Sequence, residues 1–439
     1  MKKLDYRQIN RLAFPAIVAG ISEPMMALAD TAIIGHLGTM ELAGVGVGSS
    51  LFLLLVWMLA QSKSAISAIV SRHFGKGQLV RLGSFVVQSL YFNLLIGILT
   101  IVISLYFVDE LLRMYNASGE LLAIAKDYFT IRVFGLPLAL ATFGLYGVFR
   151  GFQNTSWAMW ISLSGGVLNI LLDYILVYGI KDIVPSMGIA GAAWASLVSQ
   201  SIVCFSAIYV LMVKELVKVS FKLKLDQNMT KFVKMFSNLL IRTIALNTAY
   251  FLGTKYATAY GKEYIAAHTI AMNIWLFSSF FMDGYATAGN AIAGKLLGQN
   301  NSAGIGQIGK AIYRMSILVG VVLGGVYLLG YFFWAKFFTT DLAVITVFQS
   351  VFWIVIISQP LNGMAFGLDG IFKGLGQTAL LRNTLLAATF VGFIPVLFVF
   401  DFFGLGLHAV WFAFLSFMAF RGFILLWKFY TTYSEKKLS

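Results

Sequence analysis

Acidic and amide side chains stand at helical spacing inside stretches otherwise made of hydrocarbon. In MALADTAIIGHLG, residues 26–38, the carboxylate of Asp30 interrupts an apolar run, and Glu23 precedes it by seven residues. At 3.6 residues per turn, seven residues bring a side chain almost back to its starting azimuth, so both acids project from one helix face. Pro24 between them has no N–H for the carbonyl of Gly20, which predicts a bend or a loosening there. In GGVLNILLDYILVYG, Asn169 and Asp173 are four apart and therefore neighbours on a helix surface. An amide beside a carboxylate can hold the acid's proton or help to bind a small cation. Either event neutralises a buried charge and changes which helix arrangement is lowest in free energy. Lys63, in the next apolar run, can pair with these acids until a proton or a substrate competes, or can reach back to the surface along its own stem.

A second group lies later in the chain: Arg242 in NLLIRTIALNTAY, Asp283 in FFMDGYATAGNAIAGK and Asp369 in GLDGIFKGLGQT. Arg132 and Arg421 are further ionisable residues within apolar stretches. Each is several kcal/mol unfavourable in hydrocarbon unless paired, protonated or hydrated, so these groups must line an interior. A structural role competes at every one: Asp30 could salt-bridge Lys63, and Asp369 could pair with Arg242.

The elements that position these residues are transmembrane helices. Of 439 residues, 59% are hydrophobic and 11% charged, a composition outside the soluble globular range. Runs of roughly 20 apolar residues, each able to span a bilayer as a helix, occur at 11–34, 44–70, 85–107, 124–147, 157–180, 190–213, 236–257, 264–290, 312–335, 345–370, 384–403 and 408–430. Lys2, Lys3, Arg7, Arg11, Arg72, Lys76, Arg81, Lys295, Lys310, Lys373, Lys436 and Lys437 crowd one side, while only Arg113, Lys126, Lys181, Lys262 and Lys336 fall on the other. The positive-inside rule then places both termini in the cytoplasm. The net charge of +14 is spread over short loops, which argues against nucleic acid as a partner. Cys204 is the single cysteine, excluding a disulfide or a thiolate cluster. No GxxxxGK[ST] or HExxH occurs, and His36, His73, His268 and His408 are scattered, so neither a cofactor, a metal nor an enzyme's catalytic set is expected.

The chain repeats itself. SAISAIVSRHFGKGQ at 64–78 aligns without gaps to TAGNAIAGKLLGQNN at 287–301, and GLYGVFRGFQNT at 144–155 to GLDGIFKGLGQT at 367–378, both at an offset of 223 residues. The same register sets Pro137 on Pro360, Arg150 on Lys373, Gly38 on Gly261, and Tyr146 on Asp369. Expected domains are an N-lobe, 1–213, a lysine-rich cytoplasmic linker, 214–235, and a C-lobe, 236–439, of six helices each. An offset of six helices keeps the topology of the halves the same, which predicts a pseudo-twofold axis along the membrane normal around a central cleft. That is the layout of a transporter opening to each side in turn.

Taken together, DTAIIGHLGTMELAGVGVG, ISAIVSRHFGKG, GGVLNILLDYILVYG, MDGYATAGNAIAGKLLGQ and GLDGIFKGLGQTALLRN resemble the multidrug and toxic compound extrusion (MATE) transporters, and among them the DinF-like branch, over nearly the whole chain. The resemblance implies an all-α, twelve-helix membrane fold of two lobes and export of small amphiphilic, often cationic compounds in exchange for protons or sodium. It implies a monomer surrounded by membrane lipid in a bacterial inner membrane, and a cation site at Asp30, Asn169 and Asp173. Sodium-linked relatives also pair an acid of helix 7 with one of helix 10; here helix 7 offers Arg242 and Asn247 instead, which favours protons over sodium. A lipid or lipid-linked oligosaccharide flippase and a sodium-coupled drug antiporter are the alternatives.

Overall fold

Twelve long helices, one over each apolar stretch, make up most of the described residues of the computed structural model, which are 6–78, 82–218, 220 and 224–433 without the side chains of 23, 24 and 26–28. In chain order they are α1 (Tyr6–Gly35), α2 (Thr39–Gly75), α3 (Gly83–Tyr106), α4 (Gly119–Gly151), α5 (Ser156–Tyr178), α6 (Gly188–Val213), α7 (Gln227–Ala259), α8 (Lys262–Gly298), α9 (Ser302–Leu329), α10 (Leu342–Gly374), α11 (Thr378–Phe402) and α12 (Leu407–Tyr433). Among the described residues, α2–α6 and α8–α12 are long and apolar enough to cross a membrane; α7 is more polar, carrying Lys231, Lys234, Arg242 and Lys255. Lys2, Lys3, Arg81, Lys436 and Lys437 lie outside the described residues, as do the side chains of Glu23 and Pro24.

Two helix irregularities precede prolines, while α2 is interrupted by a turn at 60–61 with no proline nearby and α10 runs unbroken through Pro360. α4 narrows to a 3₁₀ turn at Val133–Gly135 just before Pro137, and α11 widens to a π turn at Ala388–Phe393 just before Pro395. A proline contributes no N–H to the helical ladder, so the turn preceding it must re-pair its carbonyls. The backbone of α1, by contrast, stays helical through Pro24.

The chain forms two compact units, Val18–Val233 and Met1–Ile17 with Lys234–Ser439. This differs from the expected division at 213 and 236 in two places. The first turns of α1 belong with the second unit, where Ile9, Leu12 and Ala13 are buried in one cluster with Ala288, Ala291 and Ile292 of α8. Gly284 permits this approach, since a side chain there would collide with Ile17. Reciprocally, the first turns of α7 belong with the first unit, where Phe232 packs edge-on against Phe85 and Phe92. The linker is shorter than its lysines suggest: Asp226 accepts from the Asn228 amide (2.8 Å) and caps α7. Gln88 holds the preceding segment, donating to the Lys224 carbonyl (2.9 Å) and accepting from the Asp226 amide (2.8 Å).

The internal repeat reappears as repeated helix contacts at the same register. A Cβ on Gly147 would meet the Lys63 carbonyl oxygen, and one on Gly370 the Ala286 carbonyl oxygen. Gly144 abuts the side chain of Asn93, and Gly367 that of Ser316. Gly97 faces Pro137, and Gly320 faces the Gln359–Pro360 backbone. In each pair both members are related by the 223-residue offset. Lipid gives helices no hydrophobic reason to associate, so close backbone approach at small residues supplies the packing. Gly370→Ala and Gly147→Ala should each lose roughly 1–3 kcal/mol through overpacking against a carbonyl, whereas Gly46→Ala, with nothing within 4 Å, should be neutral or gain up to about 1 kcal/mol of helix propensity. Thermal unfolding in detergent tests this, and equal midpoints for Gly370→Ala and Gly46→Ala would refute the packing account.

Candidate functional site: a paired-carboxyl cavity

Within the first unit, α1, α2, α4, α5 and α6 enclose a cavity of about 190 Å³. Gly165 lets Val203 of α6 pack close to the α5 wall, while Phe52 and Phe143 make part of the surface apolar. Asp30 enters from α1 and Asn169 from α5. The end of α1 that carries Asp30 is fixed to α5, because the Tyr178 hydroxyl donates to the Ile33 carbonyl oxygen (2.6 Å). Ile34 is buried beside Val45, Tyr128 and Val177.

Asn169 donates through Nδ2 to Asp173 Oδ2 at 3.0 Å, so one helical turn brings amide and acid together. Asp173 is 1% exposed, and its carboxyl and that of Asp30 are close enough to interact directly. One oxygen of each, Asp30 Oδ1 and Asp173 Oδ1, is buried with no hydrogen-bond partner. The cation whose field reaches both acids is Arg132 on α4. It donates to Gln200 Oε1 (2.7 Å), and its guanidinium carbon stands 3.8 Å from the Phe52 ring centroid. Lys63 Nζ sits 5.0 Å from the Phe143 ring centroid.

Two carboxyls beside one guanidinium disfavour double ionisation, since like charges this close repel. The spacing of Asn169 and Asp173 was readable in the sequence, and Asp30 stood out as a carboxylate in an apolar run. Tyr128 and Gln200 are added only by the fold, although Tyr128 and Arg132 share the same four-residue spacing and so present one face of α4.

In the second unit Asp369 is surrounded by cations. Its Oδ1 accepts from Arg242 Nη2 (2.8 Å), its Oδ2 pairs with Lys373 Nζ (2.8 Å), and Arg421 Nη2 forms an ion pair with Oδ1 at 3.1 Å. Asp283 is exposed on α8 near Lys373. Asn247 is not drawn into this group; its amide donates to the Thr243 carbonyl within α7 (3.0 Å).

Repeat-related halves of six membrane helices, with buried ion clusters inside each unit, are the plan of a membrane transporter. The MatE family profile matches residues 15–175 and again 239–403, once in each half. The chain is 27% identical over 432 residues to DNA damage-inducible protein F of Escherichia coli strain K12, covering 95% of this chain and 91% of that one. It is 27% identical over 430 residues to the chloroplastic protein DETOXIFICATION 44 of Arabidopsis thaliana, covering 94% and 80%. A crystal structure of a MATE transporter in a bent conformation superposes with a TM-score of 0.90 at 22% identity, over 98% of this chain and 96% of that one. The chain belongs to the MatE family of multidrug and toxic compound extrusion transporters, in its DinF-like part, and has the twelve-helix, two-lobe fold of that family. It is a multi-pass membrane protein with small-molecule substrates.

The pairing of Asn169 with Asp173 makes a local prediction. Asn169→Leu leaves a buried carboxyl without its donor and should destabilise by about 1–3 kcal/mol, whereas Asn169→Leu with Asp173→Leu removes both partners and should recover much of that loss. A double-mutant cycle by thermal unfolding measures it; additive losses would show that the two side chains do not interact.

Proposed function

We propose that the protein exports amphiphilic organic cations in exchange for protons, as a monomer in a bacterial inner membrane with both termini in the cytoplasm. The observation that carries this reading is the facing pair Asp30 and Asp173, each with one buried oxygen lacking a partner. A proton placed on either acid gives it an O–H to donate to the other, satisfying both oxygens and leaving one net negative charge opposite Arg132. When the proton leaves, the pair carries a second negative charge and a cationic substrate in the cavity becomes its natural counter-ion. Phe52, Leu53, Phe143 and Val203 supply the apolar walls for the rest of such a molecule.

Movement follows from where Asp30 sits. It lies three residues before Ile33, the anchor of α1 on α5, so protonation alters how α1 and α5 are held together. The ion and the drug must each favour one arrangement of the helices over another, because a ligand bound equally well in both shifts nothing. Protons suit the site better than sodium: Asn169 presents a donor to Asp173, whereas a metal cation needs that amide's oxygen.

In proteoliposomes loaded for ethidium transport, a pH gradient should drive uptake and a sodium gradient at constant pH should not. Asp30→Asn should reduce pH-driven transport at least tenfold while the protein still inserts and unfolds at its usual temperature. Transport driven by sodium alone, or an undiminished Asp30→Asn, would overturn the assignment.

A further inference from the structure

The second unit holds more positive charge than its own residues neutralise. Arg242, Lys373 and Arg421 all contact the single carboxylate Asp369, and their side chains are 6%, 12% and 2% exposed. Two guanidiniums with five N–H groups each and an ammonium with three face a carboxylate with roughly four lone-pair sites. The shortage is visible atom by atom: Arg242 Nε and Arg421 Nε are buried without a hydrogen-bond partner. Phe366 lies under the Arg421 guanidinium at 4.8 Å, which holds it in place without neutralising it. Among the described residues, the other titratable groups that face the cluster are the exposed Asp283 beside Lys373 and the Tyr250 hydroxyl. With Asp283 counted, the quintet still carries one uncompensated positive charge inside a membrane protein, an expensive arrangement unless something completes it.

The fold does not require all of these charges, although Lys373 has a cationic counterpart in Arg150. In the register of the internal repeat, Asp369 corresponds to Tyr146 and Arg242 to Ala19. The helix packing beside the Asp369 position is duplicated, as the matching contacts of Gly147 and Gly370 show. Packing there is therefore achieved in the first half without the acid, so its presence among cations in the second half points to a ligand.

We propose that Arg242, Lys373 and Arg421 form an anion-binding site that receives a carboxylate or phosphate group. Lys373 is the most exposed of the three and is the point of access; Asp369 holds the cations apart until the incoming oxyanion takes Lys373 from its Oδ2. Oxyanions of this kind occur on acidic or zwitterionic substrates and on the headgroups of anionic lipids, and the chemistry of recognition is the same for both. The site is separate from the paired carboxyls of the first unit, and the proposal does not depend on which ion drives transport.

The test is equilibrium binding to the full chain in nanodiscs of phosphatidylcholine, with no gradient applied, followed by ¹⁹F NMR. The probes are 4-fluorobenzoate and its neutral isostere 4-fluorobenzamide. The acid should bind at least tenfold more tightly than the amide. Lys373→Met and Arg242→Gln should each weaken the acid at least tenfold, and Asp369→Asn should tighten it severalfold by removing the internal competitor. Repeating the titration in phosphatidylglycerol nanodiscs separates the sources: competition by that lipid assigns the site to a headgroup, and unchanged affinity assigns it to a soluble anion. Equal binding of acid and amide by the unsubstituted protein, a comparison that needs no variant to fold, would overturn the proposal, as would an unaltered affinity in Lys373→Met.

Discussion

Charge held away from water must be answered by charge or by a hydrogen bond, and in a membrane protein no bulk solvent relaxes that demand. The two units answer it in opposite ways. In the first, Asp30 and Asp173 outnumber Arg132; in the second, Arg242, Lys373 and Arg421 outnumber Asp369 and Asp283. Each cluster is one ion short of balance, and of opposite sign. An unbalanced cluster is poor as a structural element, because replacing it with packed hydrocarbon would usually be at least as stable. It is well suited to holding something that comes and goes.

The repeat explains how such different clusters share one framework. Helix contacts set by small residues are duplicated at a constant offset, down to the glycine that faces a proline in α3 against α4 and in α9 against α10. The side chains that point inward from that framework have diverged. Tyr146, hydrogen-bonded to Ser162 at 3.0 Å, occupies the place that Asp369 takes in the other half. Duplication has preserved the scaffold and released the interior to separate chemistry.

Much of this was legible in the sequence for a physical reason. Apolar length announces a transmembrane helix regardless of tertiary context, and an i,i+4 pair such as Asn169 and Asp173 is fixed by helix geometry alone. Asp30 was visible because a lone carboxylate in hydrocarbon needs an explanation. What sequence could not supply was partnership across helices. Arg132 meets Gln200 across 68 positions, and Arg421 meets Asp369 from the next-but-one helix; no local period links them. The pairing of Asp369 with Arg242 was foreseeable as an alternative, but the additional Lys373 and Arg421 change its meaning from a neutral bridge to a positive centre. Asn247 illustrates the converse, since a polar residue of the right type on the right helix spends its amide on its own backbone.

The reciprocal placement of the first turns of α1 and α7 bears on how the chain is made. During synthesis the first unit leaves the ribosome with the Phe85 and Phe92 rings uncovered, and they stay so until Phe232 has been translated. Ile9, Leu12 and Ala13 wait longer still, because their neighbours on α8 are encoded more than half the chain later. The first unit is a continuous stretch and can close its interior once residue 233 has been made, whereas the second draws on both ends of the message, so the start of α1 finds its place only when the later half of the polypeptide exists.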